Sequence, residues 1–118
     1  MIDVEHIEYY LSGEIMYKCI YLNGKRHGEY ISYYRSGEIR SKCNYLDGKL
    51  NGEYISYFIS GEILSKCNYL VGKRHGEYIH YYKSGELESK SYHINDKLVI
   101  ESDWISYNRN NKLELLGL

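Results

Sequence analysis

Residues 28–51 read GEYISYYRSGEIRSKCNYLDGKLN, residues 52–75 read GEYISYFISGEILSKCNYLVGKRH, and residues 76–99 begin GEYIHYYKSGELESK before the pattern degrades. One sentence is thus written three times at a spacing of 24 residues, with an earlier partial copy over residues 4–27 and a last trace over residues 104–113. A period in this range marks a repeat array, in which each unit packs on its neighbours. The expected units run over residues 4–27, 28–51, 52–75, 76–99 and 100–118, inside one domain spanning residues 1–118. A ladder of near-identical units rarely holds one unique catalytic constellation. The architecture therefore directs attention to binding or scaffolding, and no enzymatic activity or cofactor is expected.

Each unit reads as a hairpin. GEYISYY and IRSKCNYL are strand candidates, separated by Ser36-Gly37 and followed by Asp47-Gly48. Ser-Gly and Asp-Gly dipeptides supply the positive φ of tight turns. Sixteen Tyr, with no Pro, Ala, Thr or Gln, favour strands over any long helix. The predicted fold class is all-β: an elongated single-layer meander of about ten antiparallel strands, roughly 45 Å long at ~4.8 Å per strand.

The turns predict a register. A two-residue turn at Ser36-Gly37 puts Tyr34 opposite Ile39, Ser32 opposite Ser41 and Tyr30 opposite Cys43. A turn at Asp47-Gly48 puts Tyr45 opposite Leu50, Cys43 opposite Gly52 and Lys42 opposite Glu53. The same rule pairs Lys18 with Glu29, Lys66 with Glu77 and, across a two-residue insertion, Lys90 with Asp103. Alternation then sorts the side chains. One face carries Tyr30, Tyr34, Ile39, Cys43 and Tyr45, with Ser32 and Ser41 between them. The other carries Ile31, Tyr33 and Leu46 among Glu29, Arg40, Lys42 and Asn44. No separate segment is expected to cover either face.

The pattern Tyr-x-x-Gly-Lys-x-x-Gly-Glu-Tyr, followed by Tyr-Tyr-x-Ser-Gly-Glu-Ile, resembles the MORN repeat. It is similar to the longer variant found in YwqK-type antitoxin components and in giant-virus proteins. Residues 21–30, 45–54 and 69–78 carry it. The chain departs from the common form in having Tyr where Trp is frequent. The resemblance implies a meandering sheet without catalysis, used for protein contact, dimerisation or attachment near membranes. It also admits an antitoxin-like role against a cognate toxin.

The candidate partner surface is aromatic: Tyr30, Tyr54, Tyr78 and Trp104 in one column, Tyr34, Phe58 and Tyr82 in another, with Tyr45 and Tyr69 alongside. Cross-strand rings hold a sheet together, and contiguous exposed aromatic surface marks interfaces. A second candidate is a basic loop edge of Lys25, Arg26, His27, Lys49, Lys73, Arg74 and His75. It offers contacts to an acidic partner or to anionic lipid in peripheral attachment, while the bland alternative is a row of solvated turns. The free edge strands and the terminal unit offer a route to a homodimer.

The remaining residues mostly exclude. Net charge is −1, which disfavours nucleic acid as a partner. Cys19, Cys43 and Cys67 repeat two strands apart, about 9–10 Å. That is too far for a disulfide or a shared zinc, so they read as small packing residues, and unpaired thiols suit a reducing compartment. His27, His75, His80 and His93 read as isolated, without metal or catalytic partners. The opening MIDVEHIEYY lacks the basic start and apolar stretch of a leader. The expected location is intracellular and cytoplasmic, in a host cytoplasm for a viral chain.

Overall fold

The computed structural model describes residues 3–115. Along the chain come β1 (Asp3–Tyr9), β2 (Ile15–Leu22), β3 (Lys25–Arg26), β4 (Gly28–Tyr33), β5 (Ile39–Leu46), β6 (Lys49–Leu50), β7 (Gly52–Tyr57), β8 (Ile63–Leu70), β9 (Lys73–Tyr81), β10 (Leu87–Ile94), β11 (Lys97–Val99) and α1 (Glu101–Leu115). The strands form one sheet in the order β1-β2-β4-β5-β7-β8-β9-β10-β11, with the two-residue strands β3 and β6 attached to β2 and β5. Every pairing is antiparallel between chain neighbours or near-neighbours, as a repeat of hairpins requires. The molecule measures 53 × 44 × 21 Å, a plate one sheet thick with a helix laid on it.

Two kinds of turn alternate, and each corrects part of the predicted register. At the first kind, Tyr34 N–H donates to Glu38 O at 2.8 Å and Gly37 N–H to Tyr34 O at 2.9 Å, while Gly37 takes φ 104°. This is a three-residue loop closed by a glycine bulge, not a two-residue turn. Tyr33 rather than Tyr34 therefore lies opposite Ile39, whereas Ser32–Ser41 and Tyr30–Cys43 pair as expected.

The second kind, Asp47-Gly48, is the expected tight turn, with φ of 52° and 85° and Tyr45 opposite Leu50. Beyond it the expectation fails. Gly52 takes φ 96°, Asn51 N–H donates to Asn44 O at 2.9 Å, and the strand absorbs two extra residues. Pairing resumes with Lys42 opposite Ile55 and Ser41 opposite Ser56. Lys18 likewise faces Ile31, and Lys66 faces Ile79. The predicted opposites Lys18–Glu29, Lys42–Glu53, Lys66–Glu77 and Cys43–Gly52 are displaced. A slip of two residues leaves every side chain on its original face, so the sorting survives beyond the tight turns. It fails beside the three-residue loop, where Ile39 shares a face with Tyr33 and Arg40 lines the space along Tyr30 and Ser32.

The last unit is the larger correction. Residues 101–115 form α1 instead of a hairpin, so the trace of repeat over residues 104–113 does not carry the repeat's structure, and a segment does cover part of one face. Glu101 and Asp103 stand in its first turn and Lys112 in its last, the charge order that complements a helix dipole. Lys90 accordingly does not meet Asp103; its Nζ lies 3.2 Å from Glu77 Oε1. Residues 1–2 and 116–118, the ends of the expected domain, lie outside the described residues.

Burial is thin and split between the faces. Cys19, Cys43 and Cys67 are 3, 3 and 6% exposed, packed beneath the tyrosines with the buried Ser41 and Ser65. Ile31 and Ile79 are buried on the other side. None of the described side chains is completely enclosed.

Candidate interaction surface

The tyrosine face is built by strand alternation acting through the glycine bulges. Tyr30 lies opposite Cys43, Tyr54 opposite Cys67, and Cys67 opposite Tyr78, so small thiols floor the spaces between large rings. Ser32 and Ser41 face one another with their Oγ atoms 2.5 Å apart, and Ser56 and Ser65 repeat the contact at 2.5 Å. The rings rise from this floor. Tyr17 stacks on Tyr30 at 5.1 Å, and Tyr30 tilts against Tyr45 at 5.8 Å. Tyr54 meets Tyr69 at 6.1 Å. Of these rings, Tyr17, Tyr30 and Tyr54 border an open trough of about 570 Å³ that reaches from Tyr10 to Tyr78, with Ser32, Ser41, Ser56 and Ser65 along it.

The floor is chemically quiet. Burial pushes the Cys43 thiol up to about 11 and raises Cys67 as well, so both stay protonated and poorly nucleophilic at neutral pH. Burial likewise pushes the Tyr30 phenol up to about 12 and raises Tyr54. The trough therefore presents neutral rings and hydroxyl donors, an apolar body with a polar tip, suited to contact surfaces.

The arginines reinforce it. Arg26 folds over the face, its guanidinium 5.0 Å from the Tyr30 ring and 5.5 Å from the Tyr45 ring, and its Nη1 donates to the Tyr45 hydroxyl at 3.5 Å. Burial works against its charge, but hydrogen bonds with Tyr21 and Tyr45 prevail and hold its pKa above the usual arginine value. Arg74 lies 4.7 Å from the Tyr78 ring. These two residues, predicted on the basic edge, thus belong to the aromatic face, where cation–π attraction holds them.

Other predicted residues separate. Tyr34 donates its hydroxyl to Tyr57 O at 2.5 Å, as Tyr10 does to Tyr33 O at 2.6 Å. That column ties each unit to the next at the loop edge. Phe58 shares the turn geometry of Tyr34, its N–H donating to Glu62 O at 2.8 Å, and Tyr82 is 52% exposed. Lys25, Lys49 and Lys73 remain exposed at the tight turns, with Lys25 Nζ 3.9 Å from Asp47. A side chain begun at Gly48 would lie 3.6 Å from Lys25 Cβ, and one begun at Gly72 3.6 Å from Lys49 Cβ, so each tight turn stands beside the lysine of the turn before it. Trp104 is not in the tyrosine column. It sits on α1 against the opposite face, edge-on to His75 at 5.4 Å and stacked on Tyr107 at 5.9 Å.

Sequence reasoning missed one cluster. His80 and His93, read as isolated, both flank Tyr78, at 4.6 and 6.1 Å. His93 occupies the place that Tyr45 and Tyr69 hold in earlier units. It is buried, its Nδ1 has no hydrogen-bond partner among the described residues, and burial together with nearby Arg74 lowers its pKa. The 24-residue spacing from Tyr69 to His93 was the available signal.

No curated protein and no solved structure matches the sequence. A family model described as a MORN repeat variant matches residues 2–23, 26–47 and 74–99, more than half of the chain. The unmatched stretch between the second and third segments repeats the strand pattern of its neighbours. By sequence and by its meander of hairpins, this chain belongs to the MORN repeat family, in its variant form.

Proposed function

We propose that this chain is a non-enzymatic interaction module that captures a protein partner along the tyrosine trough. MORN repeats generally mediate protein or membrane contacts and are generally non-catalytic. The observation that carries the reading is the trough itself: a row of rings over a serine floor, about 570 Å³ in volume, bordered from Tyr10 to Tyr78, while α1 packs against the opposite face. The test is affinity capture with the tagged chain and mass spectrometry, repeated with Tyr30, Tyr54 and Tyr78 all changed to Ser. A stoichiometric protein that disappears with the triple variant supports the reading. A partner retained by a variant whose circular dichroism shows an intact sheet removes it. An antitoxin role, in the manner of the YwqK-type proteins that the repeat resembles, is one form of the same capture, with a cognate toxin as the partner. Work in the cytoplasm, of a host for a viral chain, belongs to the same proposal, as does pairing with a second copy through the free edge of β1.

A second reading is supported by the lysine row. Lys25, Lys49 and Lys73 stand exposed at successive tight turns, and Lys97 continues the series. Such a row suits anionic lipid headgroups in peripheral attachment, at about 1 kcal/mol per basic residue near the surface. Among the described residues no helix is long and apolar enough to cross a membrane. Withdrawal of Arg26 onto the tyrosines reduces the charge available at this edge, which ranks the lipid reading second. Flotation with phosphatidylserine vesicles that is unaffected by salt and by Lys25, Lys49 and Lys73 substitution removes it.

A further inference from the structure

The seven residues GKRHGEY at positions 24–30 recur unchanged at positions 72–78. In the second place, the face opposite the trough is occupied. His75 stands edge-on to Trp104 at 5.4 Å and to Tyr107 at 5.3 Å. The indole lies 3.7 Å from the point where a Gly76 side chain would begin, and Gly76 is buried beneath it. In the first place the corresponding space is open. His27 and Gly28 are only partly buried, and the one atom near the space a Gly28 side chain would enter is Ile20 Cδ1, at 4.0 Å.

The surroundings repeat too. A recess of about 190 Å³ beside Gly28 is lined by Glu5, Lys18, Cys19, Ile20, Glu29 and Ile31. Its counterpart of about 170 Å³ lies beside the docked helix, each lining residue 48 positions further on, from Glu53 to Ile79. One exchange distinguishes them: Ile20 stands where the occupied site has Asn68, so the open copy is the more apolar. The middle unit breaks the pattern, with Asn51 in place of histidine and Gly52 exposed.

We propose that the surface around His27 and Gly28 is a second docking site for an aromatic helix. Its occupant is a helical segment of a partner protein carrying two aromatic residues three positions apart, as Trp104 and Tyr107 are in α1. The warrant is continuity with an interface already formed within this chain: two units away the same histidine and glycine, His75 and Gly76, lie against such a helix, which rests on β10 as well. Charge narrows the occupant further. Two carboxylates, Glu5 and Glu29, and one ammonium, Lys18, line the recess, so a basic residue beside the aromatic pair complements it. The site lies on the face opposite the tyrosine trough and stands or falls independently of it.

The probe is a synthetic peptide with the sequence of residues 101–115, titrated into the full-length ¹⁵N-labelled chain and followed by amide shifts. Saturable shifts of Ile20, His27 and Gly28, with His75 and Gly76 unmoved, are expected. His27→Ala in the chain, or alanine for the tryptophan in the peptide, weakens binding about three- to tenfold, the range for losing one edge-to-face ring pair. The same peptide closed by a side-chain lactam binds more tightly, because its helix is already formed. Three results overturn the proposal: no shift with the lactam peptide at about 1 mM, the weak limit of specific binding; shifts confined to His75 and Gly76, which mean exchange with the resident helix; or binding indifferent to His27→Ala.

Discussion

Val71 holds φ 45° in the tight turn between β8 and β9, where the equivalent positions carry Asn23 and Asp47 at φ 52°. A β-branched residue is a genuine outlier in the left-handed region. Val71→Asn relieves that strain and keeps the backbone bond from Val71 N–H to Asn51 Oδ1 at 2.9 Å. It should stabilise the protein by about 1 kcal/mol, measured as a raised urea midpoint at unchanged slope. At the opposite edge, Ser12, Ser36 and Ser60 each bond the carboxylate two residues on. These bonds, ahead of the backbone contribution, lower the pKa values of Glu14, Glu38 and Glu62 below the ordinary 4.5. A depressed carboxyl stabilises the fold above its unfolded pKa and loses that contribution as pH falls through the folded value. Ser36→Ala should return Glu38 towards 4.5 and leave Glu62 unmoved, read by carboxyl ¹³C titration. An unshifted Glu38 would mean that the serine bond is not the cause.

Among the elements, α1 was the least legible and the hairpins the most. Glycine dipeptides and alternation located the strands of the repeats, because positive φ and a period of two are local properties of the chain. Register was harder, since it depends on how many residues each bulge absorbs. Gly28, Gly52 and Gly76 signal a bulge without stating its size. The ending misled because Trp104 and Tyr107 continue the aromatic columns once a two-residue insertion is allowed, whereas the glycines that make the turns stop at Gly85 and return only at Gly117. That gap, with Glu101 and Asp103 placed to open a helix, was the overlooked signal. The tyrosine face was legible because a two-residue slip preserves it. The place of Arg26 on that face was not, because a long side chain beside a turn can reach either rim or ring. Trp104→Ala should free α1 from the sheet and cost about 2 kcal/mol, below the range for a fully enclosed ring. Urea denaturation reads the loss, and faster amide exchange at Gly76 localises it. A variant as stable as the parent would show that the helix contributes nothing to the fold.

As a whole the molecule is a row of similar parts, each bonded to its neighbours alone, so removing one internal part should leave a folded remainder. Deleting residues 52–75 joins Asn51 to Gly76 and restores the Asn-Gly-Glu-Tyr sequence found at residues 51–54. The shortened chain should fold, lose about 10 Å of length across its strands, and keep the Trp104 contact. Small-angle scattering and the circular dichroism of the sheet check this, and a deletion product without β structure would refute the independence of the units. The chain order of the strands has a mechanical consequence. Because neighbouring strands are neighbours in sequence, the two ends of the sheet lie at opposite margins, and tension between them acts across the ladder and not along it. Pulled in an optical trap, the sheet should peel one rung at a time at low force, releasing about 80 Å of chain for each 24-residue unit. It would yield like a zip fastener, in equal and reversible steps, where a sheet loaded along its strands would hold and then break.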